Sequence, residues 1–99
     1  MSNQSNHFLA DLEQIIAARR GADETKSYTA LLFARGTPYI AQKVGEEAVE
    51  LAIAAVMGER ERTVSEAADL MYHLLVLLAA NDLSLADVGA ELDARHNQP

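Results

Sequence analysis

Apolar residues recur at helical spacing along most of the chain, and polar residues or glycines break the pattern at intervals. Phe8, Leu12, Ile15 and Ile16 fall on one helical face. They predict a first helix over residues 7–20, with Asn6 as its N-cap, Arg19 and Arg20 at its C-terminal end and Gly21 closing it. Ser27 can cap a short second helix over 28–35, with Leu31 and Leu32 on its apolar side, ended by Gly36. Thr37-Pro38 reads as an N-cap followed by proline at the first helical position, and the helix it starts runs to residue 57, before Gly58. Thr63-Val64-Ser65-Glu66 has the capping-box spacing and predicts a fourth helix over 64–80. Ser84-Leu85-Ala86-Asp87 opens a fifth, to residue 95. No segment alternates in a way that reads better as a strand. The expectation is an all-α antiparallel helical bundle forming one domain over residues 1–99, with loose tails at 1–6 and 96–99.

Two polar stripes interrupt this apolar framework. Lys43, Glu46, Glu47 and Glu50 stand at i, i+3, i+4 and i+7 of the long third helix. Glu66 and Asp69 share a face of the fourth, among Ala67, Leu70, Met71 and Leu74. An unpaired carboxylate beside core-building surface loses hydration worth several kcal/mol, or shifts its pKa until it protonates. A multivalent cation shared by both stripes offsets that penalty. The expectation is that Glu46, Glu47, Glu50, Glu66 and Asp69 hold Mg²⁺, a hard cation that takes oxygen ligands and shares its shell with substrate phosphates. The ordinary alternative is a solvated face, with Lys43 and Glu47 as an i,i+4 ion pair and Glu66 as a capping residue. Asp69 fits that alternative least well, because aspartate is a poor helix former in mid-helix. His73, one turn on, reads as a satisfied structural group or a phosphate contact. Gly45 costs about 1 kcal/mol relative to alanine within a helix and predicts close approach of another helix or a ligand.

Composition narrows the partners. A 99-residue chain that is 49% hydrophobic buries only about two-thirds of its unfolded surface, so apolar surface is left for a partner chain. Residues 74–80, apolar nearly all round, are the expected centre of the bundle or its subunit interface. The net charge of −7 does not suit nonspecific nucleic-acid binding, which depends on clustered Lys and Arg. The absence of cysteine excludes disulfides and thiolate chemistry and accords with a cytoplasmic protein. No apolar run approaches the roughly 20 residues of a membrane span, and residues 1–6 lack the regions of a signal peptide. There is no phosphate-loop, dinucleotide-loop or serine-elbow motif.

The acidic pattern resembles the all-α nucleoside-triphosphate pyrophosphohydrolases, the MazG and dimeric dUTPase group. Longer strings are similar to one branch: Ser27-Tyr28-Thr29-Ala30, Gly36-Thr37-Pro38, the run from Ile40 through Glu47, and the run from Ala68 through Leu78. These resemble the phosphoribosyl-ATP pyrophosphatase family of histidine biosynthesis. The resemblance implies Mg²⁺-dependent cleavage of phosphoribosyl-ATP between the α and β phosphates, in a cytoplasmic homodimer. It carries the family's metal-binding acids onto Glu46, Glu47, Glu50, Glu66 and Asp69, and implies a form not fused to the cyclohydrolase that follows in the pathway. Tyr39 stands where many relatives carry a basic residue, and Leu31 where they carry lysine. In the expected chemistry Glu47 orients or deprotonates the attacking water and Lys43 takes phosphate charge. Two alternatives stand beside it: a house-cleaning pyrophosphohydrolase acting on a canonical or damaged dNTP, and a noncatalytic helical module that dimerises through 74–80.

Overall fold

A computed structural model describes residues 4–97. All the regular structure among them is helical: α1 (Gln4–Arg19), α2 (Tyr28–Arg35), α3 (Thr37–Val56), α4 (Arg60–Ala80) and α5 (Leu85–His96). Of the expected tails, 1–3 and 98–99 lie outside the described residues, and His96, expected in the second, is the last residue of α5. Residues 4–6, expected to be loose, instead form the first turn of α1.

Two serines start helices as their chemistry predicts. Ser27 Oγ accepts from the Ala30 N–H at 3.1 Å. Ser84 accepts from Asp87 N–H while the Asp87 carboxylate accepts from Ser84 N–H, closing a capping box. Two other starts differ from expectation. The N-cap of α3 is Gly36, and Thr37 is already helical. Gly36 has φ 88° and ψ 175°, a region open essentially to glycine alone. Its N–H donates to Leu32 O at 3.0 Å and its carbonyl accepts from Ile40 N–H at 3.1 Å, so one residue ends α2 and begins α3. In α4, Thr63 caps nothing. The helix begins a turn earlier, at Arg60, and Thr63 Oγ1 folds back to donate to Glu59 O at 2.7 Å. The stretch from Glu59 to Arg62 is made of good helix formers, and it extends the helix through the supposed loop. Glu66 is therefore not a capping residue, and its carboxylate is available for other work.

The α3–α4 hairpin, joined by a short link around Gly58, is the principal helix pair, and α1 and α2 pack against it. Positions equidistant from the link face each other. Ile40 of α3 thus meets Leu75 and Val76 of α4 in a core completed by Ile16 and Leu32. Residues 74–80 are largely used up here: Leu75 and Val76 are buried within the chain itself, and the rest are half-buried. They are the bundle's own centre. Exposed apolar residues lie elsewhere, among them Val49, Ile53, Val56 and Met57 of α3, Val64 of α4, and Leu83, Val88 and Leu92. A Cα radius of gyration of 15.0 Å, against about 13 Å for a compact domain of about 100 residues, agrees with surface left for another chain. By length and composition alone α4 could cross a bilayer; in this fold it packs against α1, α2 and α3.

Gly45 is exposed, and nothing among the described residues lies within 4 Å of where its Cβ would stand. No helix among the described residues makes the close approach expected there.

Arg20 performs a structural task that its sequence context did not suggest. Its guanidinium lies 5.4 Å from the centre of the Phe33 ring and donates to Ala79 O at 3.0 Å and Asp82 at 3.4 Å. It thereby adds a side-chain donor to a carbonyl at the end of α4 that already accepts from Asp82 N–H at 3.1 Å.

Candidate metal and nucleotide site

The seam between α3 and α4 carries the acidic groups. Counting from the link, Glu47 of α3 stands opposite Asp69 and Glu66 of α4. One carboxylate oxygen from each of Glu47, Glu66 and Asp69 lies within 4.8 Å of the other two. Two oxygens on opposite sides of a Mg²⁺ octahedron are about 4.2 Å apart. Neighbouring oxygens of that octahedron are about 3 Å apart, and at most one pair of three can be opposite, so the carboxylates would have to draw together by side-chain rotation to share one ion. Hard oxygen donors are the set a hard divalent cation prefers. Glu47 is buried, at 8% exposure, and burial is the main cause that raises its carboxyl pKa. Glu50, Asp69 and Glu66 add to the rise, and His73 opposes it. The residues thus fit a divalent ion: a desolvated carboxylate, crowded by others, gains most from a cation beside it.

Glu50 belongs to this electrostatic neighbourhood, as its effect on Glu47 indicates, but its oxygens are not in the triangle and its side chain is exposed. Glu46 turns toward the flank. Its Oε1 is 3.3 Å from Lys43 Nζ and its Oε2 accepts from Gln42 at 3.1 Å. These two bonds lower its pKa, the Gln42 bond being the larger cause. Lys43 therefore pairs at i,i+3 with Glu46, in place of the i,i+4 pair with Glu47. Arg62 joins the edge of the cluster, 3.0 Å from Glu59 and 3.7 Å from Glu66.

His73 sits one turn beyond Asp69, buried at 6% exposure. Its Nδ1 lies 2.8 Å from the backbone carbonyl of Asp69, and its Nε2 lies 3.0 Å from the Tyr28 hydroxyl. Tyr28 stacks on Tyr72 with ring centres 6.2 Å apart and meets His73 edge-on. The Tyr72 hydroxyl in turn hydrogen-bonds Thr29. Burial raises the Tyr28 pKa, with Lys43 opposing and Glu47 adding to the rise. Tyr28 thus feels the charge of both Lys43 and Glu47. Arg35 lies over the Tyr39 ring at 4.8 Å. The spacing of acids located the triangle. The Tyr28–His73 bond joins residues 45 positions apart, and no local signal announces it.

Fold and site together define an all-α protein with carboxylates converging from facing helices, the arrangement in which helical bundles hold metal ions. Residues 9–96 match the family described as Phosphoribosyl-ATP pyrophosphohydrolase, and the chain belongs to that family. It is 60% identical over 87 residues to the Phosphoribosyl-ATP pyrophosphatase of Rhizorhabdus wittichii, covering 88% of this chain and 82% of that protein. It is 57% identical to the Histidine biosynthesis bifunctional protein HisIE of Photobacterium profundum over 91 residues, which are 92% of this chain and 44% of that protein. With the bifunctional protein of Campylobacter jejuni it shares 60% identity over 89 residues, 90% of this chain and 43% of that one. The chain spans about half the length of the bifunctional relatives it matches.

Proposed function

We propose that the chain hydrolyses phosphoribosyl-ATP to phosphoribosyl-AMP and pyrophosphate, the second step of histidine biosynthesis. The observation that carries this reading is the carboxylate triangle of Glu47, Glu66 and Asp69 in a chain whose residues 9–96 match the family. Glu47, Glu66 and Asp69 are the proposed centre of a Mg²⁺ site, with Glu50 and Glu46 as further oxygens from the same helix as Glu47. When bound, the ion supplies charge neutralisation for phosphate oxygens and a lowered pKa for water. The chain's own groups do the rest. Glu47, the buried carboxylate of the triangle, orients the attacking water and takes its proton through the oxygen it does not commit to the ion. Lys43, one turn before Glu47, exchanges its pairing with Glu46 for a phosphate oxygen. No covalent intermediate is needed; positioning and electrostatic stabilisation supply the rate.

The same reading places the protein in the cytoplasm as a homodimer. The exposed apolar residues of α3, Val49, Ile53, Val56 and Met57, are the surface proposed for the second copy.

The test is pyrophosphate release by the purified chain from phosphoribosyl-ATP, with and without Mg²⁺, beside a panel of canonical and damaged dNTPs. Mg²⁺-dependent release from phosphoribosyl-ATP in preference to the panel supports the proposal. Preference for a dNTP would move the chain to the house-cleaning class. No release from any of them, with no Mg²⁺-dependent thermal shift, would leave a noncatalytic helical module.

A further inference from the structure

The bonding of His73 fixes the tautomer of its neutral ring at the rim of the acidic cluster. The Asp69 backbone carbonyl can only accept, so the His73 Nδ1 beside it, at 2.8 Å, carries hydrogen. In the neutral ring Nε2 then has no hydrogen and must accept. Its partner at 3.0 Å is the Tyr28 hydroxyl, which therefore donates. Tyr28 has one proton to give, and the buried imidazole holds it. What remains on the phenol oxygen is acceptor capacity, on a side chain 46% exposed and joined through His73 to the backbone of Asp69 in the acidic cluster. Phosphate oxygens at neutral pH are acceptors too, and they gain nothing from such a group. A ribose hydroxyl or an exocyclic amine is a donor and does.

We infer that Tyr28 is a nucleotide contact that receives a hydrogen bond from the nucleoside part of the substrate, and that His73 is the positioning residue that aims its hydroxyl. The inference rests on the proposed phosphoribosyl-ATP activity and deepens it by separating the roles of two rim residues. Lys43 faces the phosphate chain; Tyr28 faces a donor on the sugar or base. The stacked pair of Tyr28 and Tyr72 holds the phenol rigid, so little conformational freedom is lost on binding.

Steady-state kinetics on three variants test this, with inorganic tripolyphosphate as a competing ligand that has phosphates and no nucleoside. Tyr28→Phe keeps the ring and removes the acceptor. KM for phosphoribosyl-ATP should rise about five-fold, the scale of one neutral hydrogen bond, while kcat falls by no more than about two-fold and inhibition by tripolyphosphate is unchanged. His73→Leu, which cannot accept, should reproduce the KM rise. His73→Gln, whose side-chain oxygen can accept from Tyr28, should restore most of it. Should His73→Leu melt before assay, Tyr28→Phe and His73→Gln still decide, because Tyr28 is half-exposed. An unchanged KM in Tyr28→Phe, equal weakening of tripolyphosphate, or a collapse of kcat at constant KM would each overturn the inference. If the unaltered chain released no pyrophosphate from phosphoribosyl-ATP, the functional reading would fall first and take this one with it. If it turned over normally and only these variants disagreed, the inference alone would fall.

Discussion

The carboxylate of Glu13 on α1 accepts from the backbone N–H of Leu85 at 2.7 Å, across 72 positions of sequence. Leu85 is the first residue of α5, and its N–H is one of the donors that a helix start leaves unsatisfied. No residue of α5 is buried outright, although Leu85 packs against the core, so this bond is a principal tie between α5 and the rest. Replacing Glu13 with alanine should destabilise the protein by about 1 kcal/mol, lowering Tm by roughly 4–8 °C. A thermal melt checks this, and hydrogen exchange should show the loss concentrated in α5.

Glu47 gives a pH dependence whose sign can be worked out. Its pKa in the folded protein is raised from the usual 4.5, chiefly by burial. Between the two values the folded state binds more protons than the unfolded state, so stability falls as pH rises. Without divalent ions, the protein should therefore gain stability from this group as pH drops from neutral toward 4.5. Glu47→Gln should flatten that trend and raise the metal-free Tm at neutral pH by a few degrees, the scale of roughly 1 kcal/mol. The same variant should lose most turnover with Mg²⁺ present. Melts across pH in a chelator, paired with assays, test both halves.

The positions of the acids rank their expected contributions to ion binding. Asp69→Asn removes one of three converging oxygens and should weaken Mg²⁺ affinity at least about ten-fold, since affinity follows ligand charge count. Glu46→Gln, whose carboxylate is engaged with Lys43 and Gln42, should weaken it less, by about three-fold or under. Calorimetric titration with Mg²⁺ gives both values. Equal losses would mean that Glu46 swings inward to an equal share.

Arg62 competes for Glu66. At 3.7 Å and partly exposed, the pair is worth about 0.2–1 kcal/mol. Arg62→Ala should therefore tighten divalent affinity by up to about five-fold, most visibly at low salt, where screening is weakest. Titration at two ionic strengths measures the effect.

The helices were legible because the patterns that encode them are local. Ser27 and Ser84 cap within three residues of themselves, and the 3.6-residue apolar period needs no tertiary knowledge. The facing of Glu47 with Asp69 was legible for a related reason, since a short link fixes which positions of a hairpin meet. Thr63 misled because its spacing to Glu66 imitates a capping box and outweighed the helix propensity of the Glu and Arg residues before it. Glu46 shares its helical stripe with Glu47, yet the neighbouring Lys43 and Gln42 draw it to the flank. Arg20, Glu13 and the Tyr28–His73 bond were beyond the sequence, because each partner lies tens of positions away.

Gly36 leaves the molecule a single corner on which much depends. The helix bearing Tyr28 and the helix bearing Lys43 and Glu47 are hinged on one pair of torsions that only a residue without a side chain adopts at ease. Alanine there would misdirect one arm against the other while leaving each intact. Such damage would be registered as poor alignment of nucleoside against phosphate before it was registered as unfolding.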